Sequence, residues 1–312
     1  MIWPYRQYDP NARSTASGYR TKRLAEAELT SQRSLTILEQ EYGPDHPSVA
    51  SGLNALAFIL QMTDPDHAVR LLRRALNIDE QNFGPSHPQV AADIHALACA
   101  GGPAQRLADI EPLLLRAREI TFQFYGPDHP ASGESLYWDA VRLGEEQEFE
   151  EAEDVLRKAM SIHEKCAGED RWMFFRDLNL LAVLYKLSKK YDEAKALFLR
   201  LLSKYEQWPG LASLRLAGCL NNGAQLYKVM QRYAEAEPLF GQSLDIYLQF
   251  GADTGRRHRQ LPFSVNNYRQ LLTEMGCSQD GIKARIQTLL QPFGISADDL
   301  PIPVGHRAQV AE

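Results

Sequence analysis

Long apolar runs are missing from this sequence. No stretch approaches the roughly 18 consecutive residues that span a bilayer, and Met1 to Gly18 lacks the basic-then-apolar layout of a secretory signal. Cysteine is scarce. Cys99, Cys166, Cys219 and Cys277 lie more than fifty residues apart without a Cys-x-x-Cys pair, which excludes a disulfide framework and a clustered zinc site. An excess of basic residues is absent too: 34 Lys and Arg against 40 Asp and Glu give a net charge of −6, which argues against nucleic acid as the main partner. Gly101-Gly102-Pro103 lacks the spacing and the Lys-Ser/Thr ending of a phosphate loop. The expected setting is reducing and cytoplasmic, with no membrane, metal or cofactor.

What is present is a repeat. Gly43-Pro44-Asp45-His46-Pro47 returns as Gly84-Pro85-Ser86-His87-Pro88 and as Gly126-Pro127-Asp128-His129-Pro130, after 41 and then 42 residues. A period in that range marks a stacked-repeat solenoid, in which each unit packs only on its neighbours. That architecture lets 312 residues share one continuous core.

Between the glycines the apolar pattern is helical. Pro47 suits the first helical position, with Asp45 or His46 as cap. Val49, Leu53, Leu56 and Leu60 then form the stripe of a helix A. Asp64-Pro65 ends it and opens a helix B striped by Ala68, Leu71, Leu72, Ala75 and Leu76. Small residues keep register with the glycines: Ala75, Ala117 and Ala159 at one offset, Ala27, Ala68 and Ala152 at another, as close helix crossings require. The expected order is an N-terminal arm over 1–20, a solenoid over 21–291 made of a lone helix and six antiparallel hairpins, and an extended tail over 292–312. Later A helices are expected near 171–187, 211–229 and 259–275, and B helices near 191–206, 233–249 and 279–290. Gly101-Gly102-Pro103 is expected to cut one helix A short.

Leu220-Asn221-Asn222-Gly223-Ala224-Gln225-Leu226-Tyr227 leading into Tyr233-Ala234-Glu235-Ala236, Leu178-Asn179-Leu180-Leu181-Ala182, and Leu53-Asn54-Ala55-Leu56-Ala57 resemble, with the Gly-Pro-x-His-Pro linkers, the 42-residue tetratricopeptide repeats of kinesin light chains and their bacterial relatives. The resemblance covers roughly residues 21–290. It implies an all-α, right-handed superhelix whose A helices line a concave groove for extended peptide segments of partner proteins. Carried over by position, the groove residues are Asn54, Asn179, Asn221 and Asn266, with His95 and Tyr137 in place of Asn in two repeats. One turn on come Phe58, Val183, Gln225 and Gln270, then Lys186 and Lys228; Arg176 lies a turn before Asn179. Arg176, Lys186 and Lys228, with no matching acids among these positions, favour an acidic ligand.

The function expected is a non-enzymatic adaptor. The alternative is a self-assembling element, a homodimer for example, because the lone first helix leaves an apolar edge to cover. His46, His87 and His129 sit one repeat apart, too far to share a metal ion, and are read as linker structure. His95 and Cys99 share a helix face, but no motif around them supports catalysis. Asp298 to Pro303 mixes acid and apolar residues and is a candidate pseudo-ligand for the groove.

Overall fold

The computed structural model describes residues 14–101, 107–166, 172–207, 213–296 and 300. The Gly168 and Pro209-Gly210 linkers, most of the arm and most of the tail lie outside them. Among the described residues the chain forms thirteen α-helices and no strand. Helix α1 (Ser14–Tyr42) stands first, and six hairpins follow: α2 (Pro47–Leu60) with α3 (Pro65–Phe83), α4 (Pro88–Gly101) with α5 (Leu107–Tyr125), α6 (Pro130–Glu145) with α7 (Phe149–Cys166), α8 (Trp172–Leu187) with α9 (Tyr191–Gln207), α10 (Ser213–Val229) with α11 (Tyr233–Thr254), and α12 (Leu261–Glu274) with α13 (Gln279–Leu290). Helix α1 begins at Ser14 rather than Thr21, inside the expected arm. Helix α4 ends at Gly101 with 14 residues, as many as α2 and fewer than the 16 of α6 and α8; Gly102 and Pro103 lie outside the described residues.

Each linker is a small built object. Gly43, Gly84 and Gly126 take φ near +85°, +85° and +82°, a region closed to residues with a Cβ except at a cost. The histidine three residues on is the cap: His46 Nδ1 accepts from the Ser48 N–H at 3.1 Å, His87 from Gln89 at 3.1 Å, and His129 from Ala131 at 3.2 Å. Each imidazole also stacks on the aromatic residue ending the previous B helix, His46 on Tyr42, His87 on Phe83 and His129 on Tyr125. Cap and stack fix the angle at which the next hairpin starts.

The stripes read from the sequence are the core. Val49, Ala50, Leu53, Leu56 and Leu60 of α2 are buried, as are Ala68, Leu72 and Ala75 of α3. Ala75, Ala117 and Ala159 have no exposed surface, nor have Ala68 and Ala152, so the alanine register marks the tight crossings. Consecutive helices pack in chain order along the array. Each of α2, α4, α6, α8 and α10 also touches the next A helix. Among the described residues, α11 and α13 are the B helices that meet closely in that way. Helices that approach one another every second element lie on the inside of a curve, so the A helices line the concave side.

Candidate functional site

The concave face is crossed by polar contacts between successive A helices. Asn54 Nδ2 donates to Asp93 Oδ1 at 2.6 Å, joining α2 to α4. His95 Nε2 meets Ser135 Oγ at 3.0 Å, joining α4 to α6. Arg176 of α8 grips Glu134 of α6 through two hydrogen bonds, at 2.8 and 2.7 Å, and its guanidinium stacks 3.6 Å from the Tyr137 ring centroid. Trp138 Nε1 donates to the same Glu134 at 3.2 Å. Further on, Asn222 Nδ2 donates to Asn179 Oδ1 at 3.4 Å and Asn267 Nδ2 to Asn221 Oδ1 at 3.1 Å. Lys228 Nζ donates to Gln270 Oε1 at 3.2 Å and pairs with Glu274 at 3.4 Å.

Solvent access divides the residues expected in the groove into three groups. Phe58, 68% exposed, and Gln270 face water. Asn54, Arg176, Asn179, Lys186, Asn221, Gln225, Lys228 and Asn266 are half-buried. His95, Tyr137 and Val183 are buried, at 8%, 4% and 1% exposure, so these three cannot meet a ligand without rearrangement. The centre of the face is thus a closed polar knot; Asn54 of α2 is tied to Asp93 with its Oδ1 buried, and the other half-buried amides lie on α8, α10 and α12. The idea that the cations there lack acids needs correcting as well: Arg176 is matched by Glu134 and Lys228 by Glu274.

Electrostatics fit a structural centre. Burial pushes Glu134 up, but the charge and hydrogen bonds of Arg176 more than offset this and hold the carboxyl at about 2. Burial drives His95 down to about 4, and desolvation pushes the Cys99 thiol up to about 12 with Glu134 adding to it. A neutral imidazole and a protonated thiol give no activated nucleophile at neutral pH. Among the described residues no group of three or more His, Cys, Asp and Glu is placed to hold a metal ion, and no helix is long and apolar enough to cross a membrane.

Behind this face runs a ladder that sequence reasoning missed. Thr121 and Ser135 hydroxyls meet at 3.0 Å across the α5–α6 interface, and His163 Nδ1 meets Asp177 Oδ2 at 2.6 Å across α7–α8, each pair fourteen residues apart. The same two positions hold Asp79 and Asp93 across α3–α4, and Leu38 beside Gly52 across α1–α2. A second ladder fastens the linkers. Arg74 binds Glu39 at 2.7 Å and the Pro44 carbonyl at 3.1 Å, and Arg116 binds Glu80 at 2.6 Å and the Pro85 carbonyl at 2.6 Å. The 42-residue step from Arg74 to Arg116 is the signal that could have found it.

The last hairpins depart from the pattern. Helix α11 runs to Thr254, past the expected end at 249, and packs against α1. The edge of α1, the ground for the self-assembling alternative, is thus met in part by α11 of the same chain. At the far end, Leu300 is 5% exposed within the apolar cluster of α10 to α13, so this tail residue covers the last hairpins. The remainder of the Asp298–Pro303 segment lies outside the described residues.

Residues 18–81 and 177–249 match the family model described as tetratricopeptide repeat. No curated protein matches the chain. Among solved structures, BtubC (BKLC) from P. vanneervenii is similar over 72% of this chain and 90% of its own, at 19% identity and a TM-score of 0.51, which is a likeness of fold. The nearly identical TPR-like repeats of a Podospora anserina kinesin-light-chain candidate align over 66% of this chain and 98% of their own, at 21% identity and a TM-score of 0.45. Residues 18–81 and 177–249 therefore carry tetratricopeptide repeats, and the array shares the fold of BtubC (BKLC).

Proposed function

We propose that this chain is a non-enzymatic, cytoplasmic scaffold that holds an extended peptide segment of a partner protein against the inner faces of α8, α10 and α12. Tetratricopeptide arrays are in general protein-interaction scaffolds; the peptide track is our reading. One observation carries it: half-buried amides recur on three successive A helices, at Asn179, Asn221 and Asn266, with Gln225 between them. An amide can donate to and accept from a peptide backbone. Because Glu134 matches Arg176 and Glu274 matches Lys228, the track is read as polar and close to neutral rather than acid-seeking. The self-assembly reading stays as the alternative: α1 packs on α11 as well as α2, yet Leu29 and Ile37 of α1 are 47% and 53% exposed.

The test selects ligands for the purified chain from a displayed random-peptide library, then measures them on Asn179→Ala/Asn221→Ala. Roughly a tenfold loss of affinity is expected with little change in melting temperature, because both side chains are half-buried and water can replace their hydrogen bonds to Asn222 and Asn267. Equal affinity for the double variant would remove the track. A matching loss of stability would make the amides structural.

A further inference from the structure

Among the described side chains, the contact between α1 and the end of α11 is made by charge rather than by a shared apolar cluster. Neighbouring hairpins are joined by buried apolar clusters. Among the described residues none of those clusters includes side chains of both α1 and α11, although the two helices are packed together. The seam is fastened by charge instead. Arg256 meets Glu28 at 2.7 Å, and Glu28 is only 14% exposed there. The next-but-two residue, Arg259, reaches further: its backbone N–H donates to the Met62 carbonyl at 3.0 Å and its guanidinium to the Ala100 carbonyl at 3.0 Å. Met62 follows the end of α2 and Ala100 is the penultimate residue of α4, so one arginine binds carbonyls at two A-helix ends, and its guanidinium sits at that of α4, where a cation is favoured by the helix dipole.

The segment that makes these contacts is shaped for it. Gly255 ends α11 in the left-handed conformation, at φ +65°. His258 is buried between Tyr247, stacked at 4.7 Å, and Phe250, edge-on at 5.3 Å, and its Nδ1 accepts from the Gln260 N–H. The loop between α11 and α12 is therefore held firmly on its own side. Beside the Met62 contact, an open cavity of about 410 Å³ lies between the loop, the α2–α3 turn and α1, lined by Glu28, Leu60, Thr63, Asp64, His67, Arg256 and Arg257.

We propose that residues 255–260 are a reversible electrostatic latch: they close the solenoid on itself in one state and release α1, α2 and α4 in another. A seam fixed by an ion pair and carbonyl contacts, beside an open cavity, separates without breaking the apolar clusters that join the hairpins. It also weakens with salt, unlike the apolar joints on either side. On the reading of the concave face given above, the latch decides whether a ligand enters from the side or along the axis of the array.

The test needs no ligand, so its failure leaves that reading standing. Arg256→Glu, Glu28→Arg and the double swap are compared by small-angle scattering and hydrogen exchange, with Arg259→Ala as an independent opening variant. Each single variant should raise the radius of gyration and cost about tenfold in amide protection over residues 24–31, with α6 and α7 unchanged. The double swap should restore both. Unchanged scattering and protection in Arg256→Glu and Arg259→Ala would overturn the latch, and so would a double swap that stays open.

Discussion

Replacing Asp93 by asparagine tests the least expected feature of the array. Asp79 and Asp93 are 2% and 0% exposed and face each other across the α3–α4 interface. Asp79 Oδ1 and Asp93 Oδ2 have no hydrogen-bond partner when both groups are written as carboxylates. One proton between them satisfies both. Burial above all pushes Asp93 up to about 7; the Asn54 hydrogen bond opposes it, and the charge of Asp79 adds to the rise. In the unfolded chain the group titrates near 3.8. Between those values the folded state holds a proton that the unfolded state has lost, so stability falls as pH rises through the window. Asparagine keeps the oxygen that accepts from Asn54 and offers its own N–H to Asp79 in place of the shared proton. Near pH 5 the variant should match the parent within about 1 kcal/mol. At pH 8, where the parent buries a second negative charge, the variant should be more stable by on the order of 2–4 kcal/mol. His95, held near 4, and His258, driven by burial to about 3, act with the opposite sign: stability present above the unfolded value near 6.5 is lost as pH falls below it. They are common to both proteins and cancel in the difference. Urea unfolding at the two pH values, with hydrogen exchange across α3 and α4 as a local check, reads the effect. An equal change at both pH values, or a loss at pH 8, would refute the shared proton.

Two further outcomes follow from the backbone. Gln147, Lys189 and Gln231 each end a helix A with φ near +67°, +64° and +59°, where the last hairpin uses Gly276; Lys189→Gly should raise stability by ~0.5–1 kcal/mol, measured as the urea midpoint, because the left-handed strain exceeds glycine's entropy cost. A Cβ on Gly133 would sit 2.7 Å from His163 Nε2 and 3.2 Å from Ile162, so Gly133→Ala should cost ~1–3 kcal/mol and displace His163 from Asp177, seen as a shifted His163 ring resonance. An unshifted resonance in a stable variant would show that the α7–α8 crossing is looser than its contacts imply.

Periodicity carried most of the fold. The glycine-proline linkers, the alanine register and the two apolar stripes located all six hairpins, because each depends on residue type at a fixed step. What escaped depends on pairing. Asp93 reads as an ordinary solvated acid until Asp79, Asn54 and the α3–α4 crossing are brought together. Phe58, Val183 and Gln225 are one family position, yet Phe58 is open and Val183 sealed, since how much of the concave face stays open varies along the array. The longer α11 did leave a trace: Val265-Asn266-Asn267 follows Leu220-Asn221-Asn222 by 45 residues rather than 42, and the added residues lengthen the segment that carries Arg256 and Arg259.

The ladder of paired positions also explains how similar hairpins keep their order. At one place in each of the first five B–A interfaces, from α1–α2 to α9–α10, the chain sets Leu38 against Gly52, Asp79 against Asp93, Thr121 against Ser135, His163 against Asp177, and Tyr205 beside Cys219. The flanking alanines are interchangeable, so apolar packing alone would tolerate a hairpin stacked one repeat out of place. The pairs would not. A slip that set Asp79 against Ser135 would separate it from the carboxyl that shares its proton. One that set His163 against Cys219 would strip the buried Asp177 of its imidazole partner, and a buried acceptor left without its hydrogen bond costs about 1–3 kcal/mol. Polar pairs that differ at every step thus do for the stacking order what the alanines cannot: they make each neighbour recognisable, and the amides of the concave face are not required for that task.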